Sequence, residues 1–164
     1  MFETDEFCAS FEHIADVIKE RIDYPHYELT EFFDVINAYK DKEKVNAFLC
    51  NFIKKYYSND IYMRSLFDSI SKMTDAQRIT YIKLYLECDK SIENFKGLPL
   101  FSSFCSWSGS EVPLIHNKIE FLNKLSQEIH GIEYLEHKQY IKDKIDNLNL
   151  YAKDVEIREI LRGY

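Results

Sequence analysis

Turn-forming residues are scarce in this chain: four glycines and three prolines are spread over 164 residues. Long elements with tight connections are therefore expected, because turns ordinarily consume those two residue types. Hairpin dipeptides such as Asn-Gly are missing. No run alternates apolar and polar residues for more than four or five positions, which argues against strands. No stretch of 18 apolar residues exists, so no membrane span is expected. The opening MFETDEF is acidic and lacks the apolar core of a secretory signal. Cysteines are few as well. Cys8, Cys50, Cys88 and Cys105 form no C-x-x-C pair, and no histidine stands at zinc-finger spacing from them. The expectation is a cytoplasmic protein with reduced thiols and no cofactor, three of those thiols lying buried on helical stripes.

Positive charge is also in deficit. The net charge is -7, and an acidic protein repels a phosphate backbone unless it carries a local basic patch. Lys54 and Lys55 make only a short pair. Lys138, Lys142 and Lys144 are interleaved with Glu133, Glu136, Asp143 and Asp146, the pattern of a solvated helix face. Nucleic acid is disfavoured as a partner, and a protein with a basic surface is favoured.

What the chain does have is apolar residues, 46% of the total, recurring with helical period. Phe7, Phe11, Ile14, Ile18 and Ile22 form the first stripe, capped by Thr4 and stopped by Pro25. Leu29, Phe32, Phe33, Ile36 and Tyr39 mark a second helix over 28–40. Asp41 caps a third, with Val45, Phe48, Leu49, Phe52, Ile53 and Tyr56. Residues 58–60, Ser-Asn-Asp, break the chain and cap a fourth. Thr74 and Gln77 form a capping box that opens a fifth helix, which fades near Phe95. A sixth runs from Glu111 to His130, and Gly131 suits a left-handed C′ position with Ile132 as its apolar contact. A seventh, with Tyr134, Ile141, Ile145, Leu148 and Ala152 on its seam, packs back on the sixth as an αα-hairpin. A short eighth covers 154–161. The fold class is all-α without a β-sheet: seven to eight helices as an irregular bundle or a short α-hairpin stack. Helix starts near 5, 42, 75 and 111 are spaced like hairpin repeats but share no residue signature. One domain over 1–164 is expected, with a bundle at 1–97, an ordered loop at 98–110 and a C-terminal hairpin at 111–164.

The segment SSFCSWSGSEVP, residues 102–113, departs from this pattern. Its Ser106–Ser110 run lacks the first glycine and the preceding strand of a hydrolase elbow. Ser110 instead suits an N-cap, with Glu111 and Pro113 in the first turn. Phe104, Trp107 and Glu111, together with Glu133 and Glu136, are the candidate partner contacts, since aromatic anchors dominate interfaces. The sequence HGIEYLEH, 130–137, raises a different possibility. His130, Glu133 and His137 could ligate a metal, and with His116 they could form a hydrolytic or metal-dependent site. The spacing, however, matches neither H-E-x-x-H nor the paired Glu-x-x-His of di-iron bundles.

The reading that explains more residues is a non-enzymatic, acidic helical interaction protein. It would block a basic bacterial or phage protein, or serve as the interaction region of a larger assembly. Self-association through the C-terminal hairpin is a further option, though Ser126 and Lys138 interrupt that seam.

Overall fold

The computed structural model describes residues 2–21, 23, 25–99 and 112–163. Among them are eight α-helices and no strand: α1 (Phe2–Arg21), α2 (His26–Asn37), α3 (Lys42–Tyr56), α4 (Asp60–Ile70), α5 (Asp75–Cys88), α6 (Ile92–Lys96), α7 (Val112–Glu128) and α8 (Leu135–Arg162). A 3₁₀ turn, Ile132–Tyr134, precedes α8. The chain divides into two compact units, Met1–Asp89 with Gly97–Leu100, and Lys90–Lys96 with Phe101–Tyr164.

In the first unit α1, α3 and α5 pack in succession, while α2 packs chiefly on α4. This alternation places odd and even helices in two layers, as a stack of α-hairpins does. The starts are set by side-chain caps. Asp41 Oδ1 accepts from Lys44 N at 3.2 Å, and Asn59 Oδ1 accepts from Tyr62 N at 3.1 Å. Thr74 and Gln77 close the expected capping box. Each such cap satisfies an orphan N–H and is worth about 1 kcal/mol.

The core of this unit is aromatic. Phe33 meets Phe52 edge-on at 5.3 Å, and Phe52 meets Tyr62 at 5.1 Å and Tyr56 at 4.6 Å. Tilted ring pairs of this kind add about 0.5–1.5 kcal/mol each beyond the area they bury. The first helix contributes less than its stripe predicts. Among its described side chains only Ala15 is buried, and Ile14 is exposed.

Several boundaries differ from the sequence expectation. The first helix begins at Phe2, so Thr4 lies inside it, and Pro25 occupies the N-cap of α2. The second helix ends at Asn37, which leaves Tyr39 exposed. The fifth ends at Cys88, because Asp89 turns extended and Ser91 Oγ accepts from Asn94 N at 3.4 Å to start α6. The eighth expected helix, 154–161, is the end of α8: Asp154 starts no new helix but pairs with Arg158 at 2.8 Å one turn on. Cys8, Cys50 and Cys88 are half-buried rather than buried.

In the second unit α7 and α8 form the expected hairpin, with α6 against α8. Phe95, Ile115, Phe121, Leu122, Leu125, Ile129, Tyr134 and Ile141 are its buried core. Gly131 has φ +121 and ψ 150, not the left-handed helical values. That region is open essentially to glycine alone. At the reversal Ile129 is buried and Ile132 is exposed, so the expected apolar contact by Ile132 is not made.

Candidate interaction surface

The reversal between α7 and α8 builds a defined apex. Gly131 redirects the chain, and Tyr134 N donates to Gly131 O at 3.1 Å to close a 3₁₀ turn. Three-residue periodicity then sorts the side chains. Tyr134 and His137 turn inward, where His137 is 1% exposed and lies 5.0 Å from the Phe95 ring and 5.4 Å from Tyr134. Ile132 and Leu135 turn outward, 83% and 61% exposed. Glu133 and Glu136 stand beside them, both in water.

A cation belt surrounds the aromatic base of this apex. Lys90 Nζ lies 3.7 Å from Glu133 Oε1 and 5.9 Å from the Tyr134 ring centre. Lys96 and Lys144 approach the Tyr140 ring at 5.5 and 5.4 Å. The apex is thus two large apolar side chains, a carboxylate paired with Lys90 (Glu133) and a second in water (Glu136), on a packed aromatic floor. Such an arrangement can bind an apolar knob ringed by cations without first folding around it.

His130, Glu133 and His137 do not come together as a metal-holding group. Among the described residues no three of His, Cys, Asp and Glu are grouped to hold an ion. The reason is helical geometry. His137 points into the aromatic interior, whereas His130 is exposed beyond the end of α7. His116 is exposed near the start of α7, about 20 Å from His130 along the helix direction. Phe104, Trp107 and Glu111 lie outside the described residues.

The first unit carries two polar constellations that sequence spacing did not suggest. One is a cleft of about 890 Å³ lined by α2, α3, α4, α5 and the α4–α5 link. Lys72 Nζ sits 2.5 Å from Asp34 Oδ2, and Ser69 Oγ donates to Asp34 Oδ1 at 2.6 Å. Asn37 Nδ2 donates to Ser69 Oγ at 2.7 Å, and Lys42 Nζ donates to Asn37 O at 2.7 Å. Both lysines lining the cleft are therefore already engaged, and the network locks α2 to α4 and to the start of α3. Within this network Asn37 Oδ1 is buried with no hydrogen-bond partner.

The second constellation fastens α1. Lys55 and the Tyr56 hydroxyl both donate to Glu12, and the Tyr62 hydroxyl donates to Asp16. Burial pushes the Glu12 carboxyl up, but the two hydrogen bonds and the Lys55 charge outweigh it and hold it below its ordinary value. Tyr56 is pushed up to about 12, first by burial and then by its bond to Glu12. The Tyr62 phenol is pushed up by burial and by Asp16. Burial also raises the Cys50 and Cys88 thiols, which keeps them protonated and weakly nucleophilic at neutral pH.

No protein-family model matches the chain, and no curated protein or solved structure is detectably similar to it. No helix among the described residues is long and apolar enough to cross a membrane.

The sequence reading singled out Glu133 and Glu136 but missed Ile132 and Leu135. It spent Ile132 on a buried capping contact and gave Leu135 no role. The signal lay in their spacing of three, which sets both on the side of the turn away from Tyr134 and His137.

Proposed function

We propose that this chain is a non-enzymatic docking protein that binds a basic protein partner at the α7–α8 apex. One observation carries the reading: Ile132 and Leu135 stand exposed beside Glu133 and Glu136 on a buried aromatic base. Large apolar side chains in water cost free energy that a partner recovers by covering them. The flanking carboxylates select a partner of positive sign and speed its approach, and the net charge of -7 extends that field. The surface fits an apolar contact point flanked by lysines or arginines, as on a basic nuclease, toxin or nucleic-acid-binding protein.

The test is site-specific photocrosslinking from position 132 in the native host. The expected result is one dominant adduct to a protein of high isoelectric point, lost when Glu133 and Glu136 are both changed to Lys. Far-ultraviolet circular dichroism of that double variant should match the parent. An adduct that survives the charge reversal, or that forms with an acidic protein, would defeat the proposal.

A further inference from the structure

The C-terminal helix has two apolar faces, and the packing of its own unit uses one. Taking Ile157 as reference and 100° per residue, His137, Ile141, Leu148, Ala152 and Val155 fall at roughly 160–220°. That is the side where His137, Ile141 and Ala152 are buried. Leu150, Ile157 and Leu161 fall within about 40° of one another on the opposite side, with Ile160 about 60° away. These four side chains are 57–68% exposed. No described residue after Ala152 is buried.

The charges beside this second stripe decide what covers it. Lys153 and Glu156 line one flank, and Asp154 and Arg158 line the other. Each flank holds one charge of each sign, three or four residues apart. Residues 150–162 carry three cations (Lys153, Arg158, Arg162) and three anions (Asp154, Glu156, Glu159), while the whole chain carries -7. The net charge of -7 lies outside this stretch, so a second copy is not repelled here. An antiparallel second copy brings each flank against the same flank reversed, so Lys153 meets the other copy's Glu156, while the Asp154–Arg158 pair of one copy faces the same pair of the other in reverse order. Leu150 then lies near Ile157 and Leu161 of that copy. This is the self-complementarity that a two-fold interface demands.

We infer that the chain forms an antiparallel homodimer through the Leu150–Ile157–Leu161 face of α8. The interface is separate from the apex at 132–136 and holds whether or not the apex binds a basic partner. Unlike a seam between the hairpin's own helices, it does not involve Ser126 or Lys138.

Sedimentation velocity over a wide concentration range tests it. The full chain should pass from monomer to dimer. Ile157→Glu should raise the dissociation constant at least tenfold with unchanged circular dichroism. Lys153→Glu alone and Glu156→Lys alone should each weaken the dimer several-fold, and the double exchange should restore it. Three outcomes overturn the proposal. They are a monomer at millimolar concentration, a dimer indifferent to Ile157→Glu, and charge variants whose combination is no better than either alone.

Discussion

The Tyr62 hydroxyl donates a hydrogen bond to the carboxylate of Asp16, fastening the fourth helix to the first. With the bonds from Lys55 and Tyr56 to Glu12, it compensates for the thin apolar contact of α1, whose described side chains include a single buried residue. Attachment of α1 is therefore a matter of protonation as well as packing.

Acid should loosen α1 before it unfolds the rest of its unit. The folded Glu12 carboxyl lies below its unfolded value, so its contribution is complete above the unfolded value and is lost as pH falls through the folded one. Protection factors of the α1 amides should fall, relative to those of α3 and α4, as pH drops below the ordinary Glu value of about 4.3. Glu12→Gln should remove most of that dependence. Tyr62→Phe should cost about 1.5–3 kcal/mol by denaturant titration, the net worth of a hydrogen bond to a charged group.

Alkali acts on the same ties with the opposite sign. Tyr56 is held protonated up to about 12, first by burial and then by Glu12. Its stabilising contribution is whole below the ordinary phenol value near 10 and is lost as pH rises towards 12. Ultraviolet titration of the folded protein should show Tyr56 ionising late, and Tyr56→Phe should delete that component. An ordinary midpoint for Tyr56 would contradict the geometry.

Gly131→Ala should destabilise the second unit by about 1–3 kcal/mol, since φ +121 is strained for any side chain. An added Cβ would also stand 2.6 Å from Glu133 Oε2 and displace that carboxylate. Calorimetry should record the loss, and partner capture should weaken in the same variant because Glu133 moves.

Replacing Ile132 and Leu135 together by Ser should leave stability within about 0.5 kcal/mol, because neither side chain packs on the core. The same change should abolish capture of the basic partner in an immobilised-protein assay. A large fall in melting temperature would mean that the apex is structural.

Most of the architecture was legible because helical period and caps are local signals. Asp41, Asn59 and the Thr74–Gln77 box lie where side-chain chemistry places them. The missed boundaries came from residues with two local meanings. Asp154 can open a helix or pair within one, and it pairs with Arg158 inside α8. Ser91 restarts the chain as α6 although the apolar pattern runs on to Phe95. Functional surfaces were harder to see, because an exposed Ile and a buried Ile read alike in a string of letters. Leu150 and Ile157 look like seam residues until Ile141 and Ala152 are seen to occupy the inward side. The cleft network of Asp34, Asn37, Ser69 and Lys72 spans more than thirty positions, and no pattern over a few residues reaches that far.

The length mismatch in the hairpin has a mechanical corollary. α8 has 28 residues and α7 has 17, a difference of about 16 Å at 1.5 Å per residue. Eleven residues are too few to stay helical in water unaided, so the last three turns borrow their order from the nucleus already wound upstream. The stretch beyond Ala152, the last buried residue described in α8, should therefore show weaker amide protection than the stretch before it.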